Sequence, residues 1–172
     1  MNQPALVVLA GLPGTGKTTL ARALAAQLGA CYLRIDAIET VVVRCGLAQP
    51  PVGPVGYAVA HEIAAGTLAI GVPVVIDAVN PIPEARQAWP ELASLRGAHL
   101  VVFETVLADL DEHRRRVMQR QPDMVAQRVP SWDEVMGSDY VAWDESRDGA
   151  RQVIDMTDSA AGVNAALRVL AS

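Results

Sequence analysis

At 172 residues, 51% of them apolar, the chain has the length of roughly one domain and can bury a core without disulfide or metal staples. Its net charge of −5 argues against broad attraction to a nucleic-acid backbone. No apolar run approaches the roughly 20 residues that span a bilayer, and the amino end lacks the pattern of a secretory signal, so a cytoplasmic location is expected.

In chain order, the first element is the apolar run ALVVLA (5–10), whose unbroken hydrophobicity suits a strand buried on both faces. It leads straight into GLPGTGKTT (11–19), which satisfies G-x-x-x-x-G-K-T through Gly11, Gly16, Lys17 and Thr18. Behind the loop, Leu20, Leu24 and Leu28 recur every four residues and stop at Gly29, which predicts a helix closed by a glycine cap. Strand, glycine loop and helix in that order are the context in which the motif carries chemistry. Backbone N–H groups turn inward on phosphate oxygens, and the helix adds its positive amino end. Gly11, Pro13, Gly14, Thr15, Gly16, Lys17, Thr18 and Thr19 are therefore expected to hold ATP, with Lys17 on the β and γ phosphates and the Thr18 hydroxyl on Mg²⁺. The fourteen basic residues comprise thirteen arginines and Lys17. A compact ammonium is thus kept at the one place where a planar fork is unsuited.

CYLRI (31–35) reads as a short second strand, and Asp36 follows it. Cys31 and Cys45 form no C-x-x-C pair and have no histidine at ligand spacing, so they read as ordinary thiols. Asp36 follows a strand end that lines the same crevice as the phosphate loop, which makes it the expected general base; a cap for a helix starting at Ala37 is the blander role. QPPVGPVG (49–56) breaks the pattern before a helix through HEIAAGTLAI, and PVVID (73–77) is the next buried strand. Asp77 at its end is expected to help hold Mg²⁺. The next residue is Ala78, whereas a motor or AAA+ ATPase commonly has an acidic residue there to polarise water. With no second lysine, the N-K-x-D motif of a guanine-specific GTPase is absent as well.

HLVVFETV (99–106) is another strand, and Asp109 with Glu112 at capping-box spacing opens a helix through Arg120. On it, Arg116 and Arg120 share a face beside Leu110 and Val117 and are expected to close over a triphosphate. Arg114 and Arg115 read as solvent-exposed or paired with Asp111 and Glu112. QPDMVAQRVPSW (121–132) reads as irregular surface, and an acidic stretch runs from Asp133 to Asp148. Trp132, Tyr140 and Trp143 fit packing of a small helical segment better than base stacking. QVIDM (152–156) is the last strand. The alternation predicts an α/β fold with a parallel sheet covered by helices.

GLPGTGKTTLARALA, RIDAIE, VVIDAVNPIPEARQAW, DLDEHRRRVMQR, PSWDEV and YVAWDE together resemble the small P-loop kinases. These include the kinase domain of phage-type polynucleotide 5′-kinase, zeta-toxin-like enzymes and chloramphenicol phosphotransferase. The resemblance implies one domain over residues 1–172, a five-stranded parallel sheet in nucleoside-kinase order within three α/β/α layers, and a lid at about 114–135. It also implies ATP and Mg²⁺ as cosubstrates, Asp36 as base, Arg116 and Arg120 on the lid, and Asp77, Asn80 and Arg86 on the acceptor side. Polynucleotide kinases follow their catalytic aspartate with polar and basic residues, whereas this chain reads DAIETVVV. A small neutral or cationic acceptor is expected, such as a nucleoside-like metabolite or an antibiotic. A polynucleotide 5′-hydroxyl kinase and a nucleotide-binding regulatory module are the alternatives. Glu39, Arg44, His61 and Glu62 are lesser acceptor-side candidates, while His99 and His113 receive no role.

Overall fold

The structure, a computed structural model, describes residues 3–171. Five strands form its sheet: β1 (Ala5–Ala10), β2 (Cys31–Arg34), β3 (Val74–Asp77), β4 (His99–Val106) and β5 (Gln152–Asp155). All pair in parallel, in the order β2-β3-β1-β4-β5, with Leu9 in register with both Asp77 and Phe103. This is the nucleoside-kinase order that the resemblance implies. The helices are α1 (Lys17–Leu28), α2 (Ile35–Arg44), α3 (Val55–Ala69), α4 (Pro83–Arg96), α5 (Leu110–Gln119), α6 (Trp132–Met136), α7 (Glu145–Asp148) and α8 (Ser159–Leu170).

Alternation along β1 explains the three layers, because successive side chains leave opposite faces of a strand. Leu6 and Val8 join Ala60, Ala64 and Leu68 of α3 and Trp89 and Leu92 of α4 on one face. Val7 and Leu9 join Leu20 and Leu24 of α1, Phe103, Ile154 and Ala166 of α8 on the other. Each such leucine or valine contributes roughly 1.5–3 kcal/mol by leaving water. The central strand, apolar on both faces, is therefore fixed most firmly, and the loop that follows it inherits that rigidity. None of these helices is long and apolar enough to cross a membrane.

Four helix starts differ from expectation, each for a local reason. Helix α2 begins at Ile35, so Asp36 lies in its first turn and makes no cap; Arg34 holds the N-cap position. A first-turn carboxylate still gains from the positive helix end. Helix α3 begins already at Val55, inside the proline-rich stretch, because Gly56 lets it lie against α2: a Cβ there would stand 2.7 Å from Cγ of Glu39. At α5, Asp109 accepts from the N–H groups of Asp111 and Glu112, but Glu112 turns to Arg115 and Arg116 and leaves the box half closed. A complete capping box forms instead at Ser131 and Glu134 and starts α6 within the stretch read as irregular.

Candidate functional site

The carboxyl ends of β1, β2 and β3 open into a cavity of about 880 Å³. Its walls include the glycine loop, the first turn of α2, the end of α5 and the segment that follows it. Gly14 has φ +85°, and a Cβ there would lie 2.6 Å from Cγ2 of Val117, so only glycine lets α5 sit on the loop. Thr15 is buried, with its hydroxyl donating to the Leu12 carbonyl at 2.8 Å and 2.7 Å from the Thr105 hydroxyl. It shapes the loop from behind. Thr19 is exposed at the rim of the cavity, and Pro13 lines its wall.

Lys17, the first residue of α1, is buried, and its Nζ donates to the Leu12 carbonyl at 2.8 Å. Burial pushes its ammonium down to about 8, against the opposing pull of Asp77 and Asp36. Next to it, the Thr18 hydroxyl donates to Oδ2 of Asp77 at 2.8 Å. The Tyr32 hydroxyl donates to the same oxygen at 2.7 Å, and burial together with this carboxylate raises the phenol well above its ordinary range. Two hard oxygen ligands side by side suit Mg²⁺, which keeps most of its waters and needs few protein ligands.

Asp36 faces the same cavity with its side chain 41% exposed, 3.3 Å from Nη2 of Arg34 and 3.6 Å from Nη2 of Arg120. One turn on, Glu39 also lines the cavity and is half-buried; desolvation, and then the Asp36 charge, push its carboxyl up to about 7. Arg120 lines the cavity beside Asp36. Arg116 lines the cavity too, but its guanidinium is held by Glu112 at 2.6 Å, the Met156 carbonyl at 2.9 Å and the Thr157 carbonyl at 2.7 Å. It anchors α5 to the chain leaving β5. Arg115 pairs with Glu112 on the surface as expected, and Arg114 is exposed.

Asn80 and Arg86 lie apart from the cavity. Both are buried. Asn80, at φ +49°, donates to the Leu9 carbonyl at 2.7 Å and accepts from the Trp89 indole at 2.9 Å. Arg86 donates to the carbonyls of Asn80, Pro81 and Val141 and to Asp148, beneath the rings of Tyr140 and Trp143. These two residues fasten the loop after β3 and the acidic stretch to α4.

Four further residues line or support the site without a signal in the sequence. Arg34 ends β2 with its side chain only 4% exposed and bonds Asp123 at 2.7 Å; Arg22 of α1 reaches the same Asp123 oxygen at 3.1 Å. His113 is buried under the loop, where its Nε2–H donates to the Pro13 carbonyl at 2.8 Å while the Trp132 ring packs edge-on at 5.2 Å. Their partners lie far away in sequence, and only the fold brings them together.

A glycine loop leading from the central strand of a 2-3-1-4-5 parallel sheet into a helix, with carboxylates at the neighbouring strand ends, defines a small P-loop kinase fold. The chain belongs to the AAA domain family AAA_33, whose model matches residues 6–132. Solved structures share the whole architecture at low sequence identity. A sugar kinase from Janibacter sp. HTCC2649 is 17% identical over 97% of this chain and 94% of its own, with a TM-score of 0.69. A gluconokinase from Sinorhizobium meliloti 1021 is 16% identical over 99% and 97%, with a TM-score of 0.61. Kti12 from Chaetomium thermophilum, solved with ADP-AlF3, is 18% identical over 96% of each chain, with a TM-score of 0.66. No curated protein matches the chain significantly in sequence.

Proposed function

We propose that the protein is an ATP-dependent phosphotransferase that moves the γ-phosphoryl group to a hydroxyl of a small molecule. The observation that carries this reading is the meeting of Lys17, the Thr18–Asp77 pair and Asp36 around one cavity. The acceptor oxygen forms a new bond to the γ phosphorus as the bond from phosphorus to the β–γ bridging oxygen breaks, and ADP leaves. Asp36 takes the acceptor's proton. Lys17 and Arg120 stabilise charge on the phosphoryl oxygens, and Thr18 with Asp77 would hold Mg²⁺, which neutralises the β and γ phosphates. Ala78, buried next to Asp77, leaves that position without a carboxylate to activate water. Residues 1–172 act as one domain, and the segment at about 114–135 is its lid.

Asp36 and Glu39, three residues apart on the first turns of α2, give the acceptor end of the cavity hydrogen-bond acceptors. A neutral or cationic acceptor rich in donors fits them, and a polymeric phosphate backbone does not. The acceptor is found by following ADP release over nucleosides, sugars, aminoglycosides, phenicols and 5′-hydroxyl oligonucleotides. With the acceptor so identified, Asp36→Asn is expected to lower kcat by about 10²–10⁴ while ADP binding stays unchanged. Acceptor-dependent ADP release that persists in Asp36→Asn removes the residue from the mechanism. Absence of acceptor-dependent release with tight ATP binding favours the regulatory reading.

A further inference from the structure

We propose that Arg34 is a positioning residue of this site: its buried guanidinium aims the Asp36 carboxylate and, through Asp123, couples that aim to the segment covering the cavity. The inference rests on the kinase reading above. Arg34 meets three carboxylates from three parts of the chain. Nη2 lies 3.3 Å from Asp36 in the first turn of α2, Nη1 2.7 Å from Asp123 in the segment after α5, and Nε 3.8 Å from Asp77 at the end of β3. That Nε is buried and makes no hydrogen bond. A planar fork can face three directions at once, whereas a lysine ammonium on a flexible stem cannot hold them in fixed relation.

The distances show where the coupling acts. Asp123 is gripped closely by Arg34 and by Arg22 at 3.1 Å, whereas Asp36 is held only by the longer contacts to Arg34 and, at 3.6 Å, to Arg120. Arg120 caps the carboxyl end of α5, so it belongs to the same covering segment as Asp123. Lifting this segment therefore removes Arg120 from Asp36 and the close partner from Arg34 in one movement. The base is aimed when the cavity is covered, and its aim is lost when the cavity opens to water. Such coupling favours transfer to a bound acceptor over loss of the phosphoryl group to solvent.

The test uses the full chain carrying Arg34→Gln, Arg34→Lys, Asp123→Asn and the double variant Arg34→Gln/Asp123→Asn. Steady-state kinetics, ADP binding and backbone hydrogen exchange over residues 120–128 are measured for each. Misaiming a group by about 1 Å costs on the order of 10²-fold, so Arg34→Gln is expected to lower kcat by about that factor, with KM for acceptor and Kd for ADP within about threefold. Arg34→Lys stays impaired. Asp123→Asn, an exposed and conservative change, lowers kcat by about tenfold and speeds exchange over 120–128. The double variant is no slower than Arg34→Gln alone, since both changes cut one chain of contacts. Full turnover in Arg34→Lys or in Asp123→Asn, additive losses in the double variant, or unchanged exchange in Arg34→Gln each overturns the proposal. A wild-type chain that releases no ADP with any acceptor instead overturns the kinase reading, and the aiming of Asp36 falls with it.

Discussion

Lys17→Ala is expected to lower kcat/KM for ATP by about 10³-fold or more, the scale on which one preorganised cation over a transferring phosphoryl group acts. Arg34 and Arg116 cannot take its place: Arg34 is held by Asp123, and Arg116 by Glu112 and two carbonyls. Lys17→Arg fails as well, because the stem is buried and Nζ already reaches the Leu12 carbonyl at 2.8 Å. The same lysine sets a pH dependence. Its ammonium titrates at about 8 in the free protein, lowered by burial and acted on by Asp77, Asp36, Arg120 and Arg34. A bound polyphosphate adds negative charge beside it and raises that value. The bound form therefore holds one more proton than the free form above about pH 8, and ADP affinity falls by up to about tenfold per pH unit there. Calorimetric titration between pH 7 and 10 measures this. Affinity that stays flat in the wild-type chain, or that falls equally in Lys17→Ala, denies Lys17 contact with the phosphates.

How far the sequence reveals the molecule depends on whether partners are neighbours in the chain. Gly11 to Thr18 are contiguous, and their spacing alone carries the loop, its preceding strand and its following helix. Asp36 and Asp77 could be placed because strand ends in a parallel sheet converge on one edge, so two short apolar runs located two carboxylates. Arg34 could not, since its closest partner is 89 residues away, and an arginine ending a strand looks the same whether it faces water or three carboxylates. His113 is silent for the same reason: nothing near it in sequence shows the Pro13 carbonyl, 100 residues away. The start of α3 escaped because proline and glycine usually break helices, and the reason for Gly56 is the packed Glu39 side chain. The charge inside the cavity was also hidden. A chain of net charge −5 gathers Lys17, Arg22, Arg34, Arg116, Arg120 and Arg128 around one hollow.

Arg86 is the opposite case, in which a visible motif leaves the work of its arginine open, and its contacts predict the largest stability effect. The pattern Asp77, Asn80, Pro81, Arg86 looks the same whether the arginine grips a ligand or the chain itself. Here Nη1 meets Oδ2 of Asp148 at 2.7 Å, with side chains 1% and 0% exposed. Donation from Arg147, and then burial opposed by Asp144 N–H and Arg86, leave the Asp148 carboxyl well below the usual carboxylate range. Arg86→Met fills similar volume but leaves the carbonyls of Asn80, Pro81 and Val141 without this donor and strips one cation from a buried acid. Removing one partner of a buried pair costs about 3–5 kcal/mol, so Tm is expected to fall by roughly 10 °C. For Asp148 the sign follows from its depressed value: its contribution is present above the unfolded carboxyl's ordinary titration near 4 and is lost as pH falls below that. The gap between wild type and Arg86→Met should therefore be full at pH 7 and narrow on acidification toward pH 3. A ligand-binding arginine gives the reverse pattern, with Tm hardly moved and acceptor KM raised at a temperature where the chain is folded. Thermal melts at several pH values, together with acceptor KM at 20 °C, separate the two, and a raised KM with unchanged Tm would return Arg86 to the acceptor side.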